Sequence, residues 1–252
     1  MTKHINNKQL SEILGDFLQI KRFKDYTING LQVEGRSEIT RILTAVTASQ
    51  AAIEAAVDYK ADALLVHHGY FWRGEDEAIV GIKKQRLQTL LTHGINLYAY
   101  HLPLDQHPEL GNNRLFAEIF SPISYWQSQK EPLIWHAQIA SQSLDLIVGK
   151  IEKAMNRQAQ VVIAKATQNI ERLAWCTGAA QDFLTQAHNE GAQVYLTGEY
   201  AERTYHEAQE LGCHFIACGH HASERAGVQR LGQWFSEQYH LQVKFFDDKN
   251  PF

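Results

Sequence analysis

The stretch Arg41–Gly69, RILTAVTASQAAIEAAVDYKADALLVHHG, decides the fold class. RILTAV (Arg41–Val46) is an apolar run of strand length, SQAAIEAAVDY (Ser49–Tyr59) is helical, and ALLV (Ala63–Val66) is a second apolar run. The runs are too short for buried helices, so the segment predicts a βαβ unit and a parallel, buried sheet. The same alternation continues outward. INLYAY (Ile95–Tyr100), LAWCT (Leu173–Thr177), QVYLT (Gln193–Thr197) and CHFIAC (Cys213–Cys218) predict further strands, with helices over Lys83–Thr92, Gln181–Glu190 and Glu202–Leu211. Near the N-terminus, Leu10, Ile13, Leu14, Phe17 and Leu18 recur at helical spacing and predict an amphipathic helix.

The order repeats along the chain. Laying Arg41–Gly69 on Arg172–Tyr200 without a gap matches Arg41 with Arg172, Ala48 with Ala179, Gln50 with Gln181, Ala56 with Ala187, Ala61 with Ala192 and Leu65 with Leu196. After a shortened connection, His101-x-x-x-Asp105 falls on His220-x-x-x-Glu224, and Gly111, Arg114 and Leu115 fall on Gly227, Arg230 and Leu231. Shared βαβ patterning produces some of this likeness by itself. The expectation is an α/β chain of two related lobes, each a three-layer α/β/α arrangement. They would be joined within Ser121–Glu131 and divided as 1–126 and 127–252.

Composition narrows the functional classes. The 252 residues carry 24 Lys and Arg against 28 Asp and Glu, a net charge of −4, with no basic run, so nothing in the charge supports a nucleic-acid partner. No stretch approaches the roughly 20 apolar residues that span a bilayer, and MTKHINNKQLSEILGDFL lacks the form of a secretory signal, so no membrane role is expected. Cys176, Cys213 and Cys218 are odd in number, lie in apolar runs and form no Cys-x-x-Cys, which predicts buried, reduced thiols and a cytoplasmic protein. Walker A, G-x-G-x-x-G, G-x-S-x-G and H-E-x-x-H motifs are absent. The outlier is histidine, present 13 times.

Three histidine motifs share one topological position. His67-His68-Gly69 follows ADALLV, His101-Leu-Pro-Leu-Asp105 follows INLYAY, and His220-His221-Ala-Ser-Glu224 follows HFIAC and opens a helix with a buried stripe of Val228, Leu231, Trp234 and Phe235. The carboxyl ends of strands are where open α/β sheets collect ligands. Adjacent side chains on an extended strand point to opposite sides, so His67 and His68 suit two ions or the flanks of a cleft better than one ion. By the same alternation His221 points away from His220, as a support or a substrate contact. Imidazole with carboxylate suits Zn, Fe, Mn or Ni, and the donors outnumber the needs of one tetrahedral ion, so a pair of divalent ions is expected. His4, His93, His107, His136, His188, His206, His214 and His240 lack a carboxylate at ligand spacing and read as structural or surface residues. Tyr26–Val33 (YTINGLQV) reads as a polar turn before the first strand, or as a loop closing over the site.

Together NGLQVEG (Asn29–Gly35), VTASQ (Val46–Gln50), VHHGYFW (Val66–Trp72), HLPLD-x-HPELGNN (His101–Asn113), AWCTG (Ala174–Gly178), TGE (Thr197–Glu199) and GHHASER (Gly219–Arg225) resemble the GTP cyclohydrolase I type 2 homolog family, the YbgI-like or NGG-interacting-factor-like proteins. The resemblance implies a dinuclear metal centre in a cleft between two lobes and a homohexameric ring. It implies His67, His68, Asp105, His220 and Glu224 as ligands, Glu224 as the bridging carboxylate, and His101 as a ligand or a residue supporting one. The reaction expected is metal-dependent hydrolysis of a small nucleotide or related heterocycle, with His221 or Glu199 as proton shuttle. The competing reading is a ring without catalysis, associated with DNA, or a protein that handles metal or binds a partner.

Overall fold

A computed structural model of the chain describes residues 4–164 and 169–252. The chain divides into two units, Met1–Leu110 with Gly227–Lys249, and Gly111–Ala226 with Asn250–Phe252.

The first unit contains β1 (Ile5–Asn6), α1 (Asn7–Phe17), β2 (Gly30–Val33), β3 (Glu38–Ile39), β4 (Arg41–Thr47), α2 (Gln50–Asp58), β5 (Ala63–His68), α3 (Gly81–His93), β6 (Asn96–Ala99) and α4 (Leu102–Asp105). The second contains α5 (Asn112–Ala117), β7 (Ser124–Gln127), β8 (Trp135–Gln142), α6 (Leu144–Met155), β9 (Gln160–Val162), β10 (Ile170–Trp175), α7 (Leu184–Asn189), β11 (Val194–Thr197), α8 (Glu202–Leu211), β12 (His214–Ala217) and α9 (His220–Ser223). Helix α10 (Arg225–Tyr239) then leads to β13 (Gln242–Phe245), which belongs to the first unit.

Alternation along β4 explains the first unit's layers. Ile42 and Val46 join Leu65, Tyr98 and Tyr100 in an apolar cluster with Leu10 and Leu14 of α1 and Val228, Leu231 and Phe235 of α10. Leu43 and Ala45 join Leu64, Val66 and Leu97 on the other face, under Ile53 and Ala56 of α2 and Leu87 and Leu90 of α3. A strand sends successive residues to opposite faces, so a sheet apolar on both faces is covered by helices on both. In the second unit, Trp175, Leu196 and Ile216 pack with Ile147 and Ile151 of α6 on one face. Ala174, Tyr195 and Phe215 pack with Leu184 of α7 and Ala208 of α8 on the other. Each unit is a three-layer α/β/α sandwich.

The first sheet has strand order β13-β4-β5-β6-β2 and the second β7-β8-β10-β11-β12-β9. The repeat seen in the sequence is reproduced in strand register: Ile42 pairs with Ala63, and their counterparts Leu173 and Val194 pair with each other, both in parallel. Even a local detail recurs. Asp62 Oδ2 accepts the N–H groups of Thr40 and Arg41 at 2.8 and 2.9 Å, and its counterpart Gln193 offers Oε1 to Glu171 and Arg172 at 2.9 and 3.0 Å.

Three expectations change. A division at 126/127 puts the whole C-terminal segment in the second lobe, whereas the chain crosses between units after Leu110 and returns at Gly227. The return follows from β13, which pairs in parallel with β4 from Gln242 opposite Arg41 to Phe245 opposite Thr44. Second, Tyr26–Val33 is not all turn, because Gly30–Val33 forms an edge strand antiparallel to β6. Third, the helix expected over Gln181–Glu190 opens with a 3-10 turn, Gln181–Phe183. The three cysteines are free and buried, as expected, and burial pushes the Cys213 and Cys218 thiols up to about 12. No helix among the described residues is long and apolar enough to cross a membrane.

Candidate metal centre

The first unit gathers His67, His68, His101 and Asp105 at the carboxyl ends of β5 and β6. His67 and His68 close β5, His101 caps α4 just beyond β6, and Asp105 ends that helix. One ring nitrogen each from His67, His68 and His101 lies within 4.8 Å of the others, a spacing that could hold a metal ion. His67 Nε2 is 3.5 Å from Asp105 Oδ1. The opposite-sides expectation for His67 and His68 fails at the level of the rings, whose centroids are 4.5 Å apart. Both residues stand at the strand's end, where side chains as long as imidazole can reach past the sheet edge and converge.

What turns these rings is a set of oxygen partners on their other nitrogens. His67 Nδ1 donates to the Tyr100 carbonyl at 2.9 Å, and because a carbonyl only accepts, the neutral ring keeps its lone pair on Nε2. His68 Nδ1 lies 3.2 Å from the hydroxyl of Thr47, its cross-strand partner. His101 Nδ1 donates to Asp25 at 3.0 Å. Asp25 also accepts from Tyr26 N, Asn29 Nδ2 and Leu102 N at 2.7, 2.9 and 3.0 Å. Burial pushes the Asp25 carboxyl up, but the hydrogen bonds from His101 and Asn29 and the charge of His101 outweigh it and hold the group down at about 2.

Sequence reasoning missed Asp25 as a site residue, since it lies 76 positions from His101. The signal available was its place immediately before the polar stretch Tyr26–Val33. That stretch also fixes the turn after His68. Gln32 Oε1 accepts the Tyr70 N–H at 2.7 Å, and a Cβ on Gly69 would stand 2.2 Å from that same oxygen. The same Cβ would stand 2.6 Å from the Ala99 Cβ, which cannot swing away as the Gln32 amide can, so glycine is required at Gly69 by close approach alone. The aromatic rings of Tyr26 and Trp72 flank His101, with centroids 5.1 Å from it in each case.

The second unit gathers His220, Glu224 and Glu199. His220 opens α9 and Glu224 follows its end, so the two are one helical turn apart, with Nε2 of His220 3.2 Å from Glu224 Oε2. Glu224 precedes α10 rather than lying in its first turn, because the chain breaks helical geometry at this residue (φ −111°, ψ 6°). Glu199, just past β11, contacts His220 Nδ1 at 2.5 Å. Burial pulls the His220 imidazole down, but hydrogen bonds and charge from Glu224 and Glu199 push it up to about 9. Ligation through its Nε2 therefore requires loss of a proton.

Space for Glu224, which is 2% exposed, is made by Gly178. Gly178 has φ +75°, and a Cβ there would stand 2.3 Å from Glu224 Oε1. Its loop is held on three sides. Gly178 N donates to Ser223 Oγ at 3.1 Å, Thr197 Oγ1 donates to the Gly178 carbonyl at 3.0 Å, and Asn113 Oδ1 accepts the Thr177 N–H at 2.9 Å. The motifs AWCTG, TGE and GNN thus serve one carboxylate. His221 is buried, and its N–H donates to the Phe252 carbonyl at 3.0 Å.

Two histidines read as structural or surface residues have carboxylate partners. His136 Nε2 lies 2.9 Å from Glu190 Oε2 under a stacked Trp126, and His206 meets Glu202 one helical turn away at 3.3 Å. The first pair is invisible to local spacing because Glu190 lies 54 positions away.

The fold and the donor set define a two-unit α/β protein whose strand ends carry histidine–carboxylate clusters fit for metal. Its family follows: residues 5–251 match the family model Duf34/NIF3 (NGG1p interacting factor 3), and the chain belongs to that family. It is 45% identical over 249 residues to a Yersinia pestis protein named GTP cyclohydrolase 1 type 2 homolog, covering 98% of this chain and all of the relative. An Escherichia coli protein of the same name is 42% identical over 248 residues, again 98% of this chain and all of the relative. Among solved structures, protein ybgI, described as of unknown function, is 41% identical with TM-score 0.95 over 98% of this chain and all of that one. A Thermus thermophilus protein is 30% identical with TM-score 0.90 over the same shares.

Proposed function

We propose that the chain is a metal-dependent hydrolase acting on a nucleotide or related heterocycle, and that its two histidine–carboxylate clusters share one pair of divalent ions. The observation that carries this reading is the treatment of the imidazoles. Each of His67, His68, His101 and His220 has Nδ1 engaged by an oxygen, and each presents Nε2 as its remaining donor. Ligating histidines are characteristically oriented this way. His67, His68, His101 and Asp105 would hold metal from the first unit, and His220 and Glu224 from the second, with Glu224 as the bridging carboxylate by family resemblance. Bound there, such ions supply Lewis acidity and the activation of water.

The chain's own residues do the rest. Asp25 and the Tyr100 carbonyl fix the rings of His101 and His67, and Glu199 fixes that of His220. Glu199, with a side chain 46% exposed, is also placed to carry a proton between His220 and solvent, and His221 is the alternative carrier. Family resemblance further supports a homohexameric ring. The test is elemental analysis of protein purified without added metal, followed by a screen of nucleotides and phosphoesters on the same sample. The reading requires co-purifying metal and turnover that disappears on chelation. Turnover that survives complete demetallation would overturn it.

A further inference from the structure

A cavity of about 510 Å³ in the first unit is lined by Lys21, Lys24, Asp25, Asn29 and Arg73, among others. Its charge is one-sided. Among the described residues none of the three cations has an acid partner, and the one acid in the wall, Asp25, has its carboxylate turned to His101, Asn29, Tyr26 and Leu102. Three cations around one concavity, in a chain of net charge −4, make a local field that attracts anions. The cavity is also joined to the histidine cluster through two of its lining residues, Asp25 and Asn29, the latter accepting the His101 N–H on Oδ1 at 2.7 Å. The Asp25 carboxylate accepts from His101 Nδ1 at 3.0 Å, while its backbone carbonyl accepts from Arg73 Nη2 at 3.2 Å. Arg73 is held a second time, its N–H donating to the Tyr26 carbonyl at 2.7 Å.

We propose that this cavity is a phosphate subsite, in which Lys21, Lys24 and Arg73 hold the phosphate of a small-molecule substrate whose reacting end reaches His67, His68 and His101. The proposal rests on the hydrolase reading and deepens it, naming a phosphate-bearing substrate. Arg73 supplies planar, forked donors, and the lysines supply mobile point charges that accommodate a mono- or diphosphate. The phosphate contacts lie outside the donor cluster, so they bind without competing for the metal ligands.

The test is calorimetric titration of the full chain, as purified, with inorganic pyrophosphate, guanosine 5′-monophosphate and guanosine. Pyrophosphate and the nucleotide are expected to bind, and guanosine at least about tenfold more weakly than the nucleotide. Lys24→Ala/Arg73→Ala is expected to weaken both phosphate ligands by about tenfold or more, with metal content unchanged. Lys21→Glu/Lys24→Glu alters exposed side chains alone and is expected to do the same, which guards against a folding defect at Arg73. Glu224→Ala, which empties the metal centre, is expected to leave pyrophosphate binding within about twofold. Wild-type affinity in both double variants, guanosine binding as tightly as its monophosphate, or loss of pyrophosphate binding in Glu224→Ala alone would each overturn the subsite. A metal-free wild-type protein showing the expected phosphate pattern would overturn the hydrolase reading and leave the subsite standing.

Discussion

The two units use one scaffold in two ways. Strands β4, β5 and β6 of the first correspond to β10, β11 and β12 of the second, in the same register. At the end of β5 the first unit places His67 and His68, with Thr47 beside His68. At the counterpart positions the second unit places Gly198, Glu199 and Gly178. A Cβ at Gly198 would stand 2.5 Å from the His220 backbone, and one at Gly178 would meet Glu224. The first unit therefore spends its strand end on ligands, whereas the second clears its strand end so that α9 can deliver them. The partner that orients the histidine at each helix start differs as well. Asp25 comes from a distant loop, and Glu199 comes from the neighbouring strand end. A duplicated fold can thus keep its backbone geometry while exchanging donors for space.

Changing the delivered donor should have the largest effect. Glu224→Ala is expected to lose bound metal and to lower turnover by about a thousandfold, the scale of a Lewis-acid contribution of several kcal/mol, read by elemental analysis and steady-state kinetics. The orienting carboxylates come next and separate the units. Asp25→Asn is expected to cost about 10–100-fold in metal affinity, because a second group turning a ligand histidine contributes on that scale. Glu199→Gln, half exposed and solvated, should cost less, and equal losses in the two variants would erase the distinction drawn between them. The cleared space can be tested in stability. Gly178→Ala places a Cβ at positive φ and against Glu224, for an expected cost of about 2 kcal/mol by denaturant unfolding. Thr47→Ala at the counterpart position should cost less than about 1 kcal/mol.

The smallest effect expected is in pH dependence outside the clusters. Burial lowers His107 in the first unit and His136 in the second below the ordinary value of 6.5. The unfolded chain then takes up protons at these positions before the folded one does. Their contribution to stability is complete above pH 6.5 and is lost as pH falls through the lowered values. His107→Gln or His136→Gln should flatten the decline in urea midpoint between pH 7.5 and 5.5, and an unchanged slope in both would contradict the assignment.

Much of the fold was legible because buried parallel strands are continuous apolar runs, and the six expected from the sequence all appear within a few residues of their expected ends. The strands that were not read, such as Trp135–Gln142 with its mixed polar pattern and the short Gln160–Val162 and Gln242–Phe245, lie toward the sheet edges. Their hydrophobic signal is diluted by solvent on one side. The clusters were legible because each histidine motif directly follows an apolar run and so stands at or just past a strand's end. What stayed hidden needed distance information. Asp25 pairs with His101 across the chain, Glu190 with His136, and the convergence of His67 with His68 depends on where β5 stops rather than on strand alternation.

We propose above that both clusters serve one pair of metal ions. The most direct measurement is metal stoichiometry, by mass spectrometry of digested protein purified without added metal, in wild type, His67→Ala and Glu224→Ala. Two ions per wild-type chain and substantial loss in both variants, one altered in each unit, are expected. A wild type without stoichiometric metal, or full occupancy retained in either variant, would contradict the proposal.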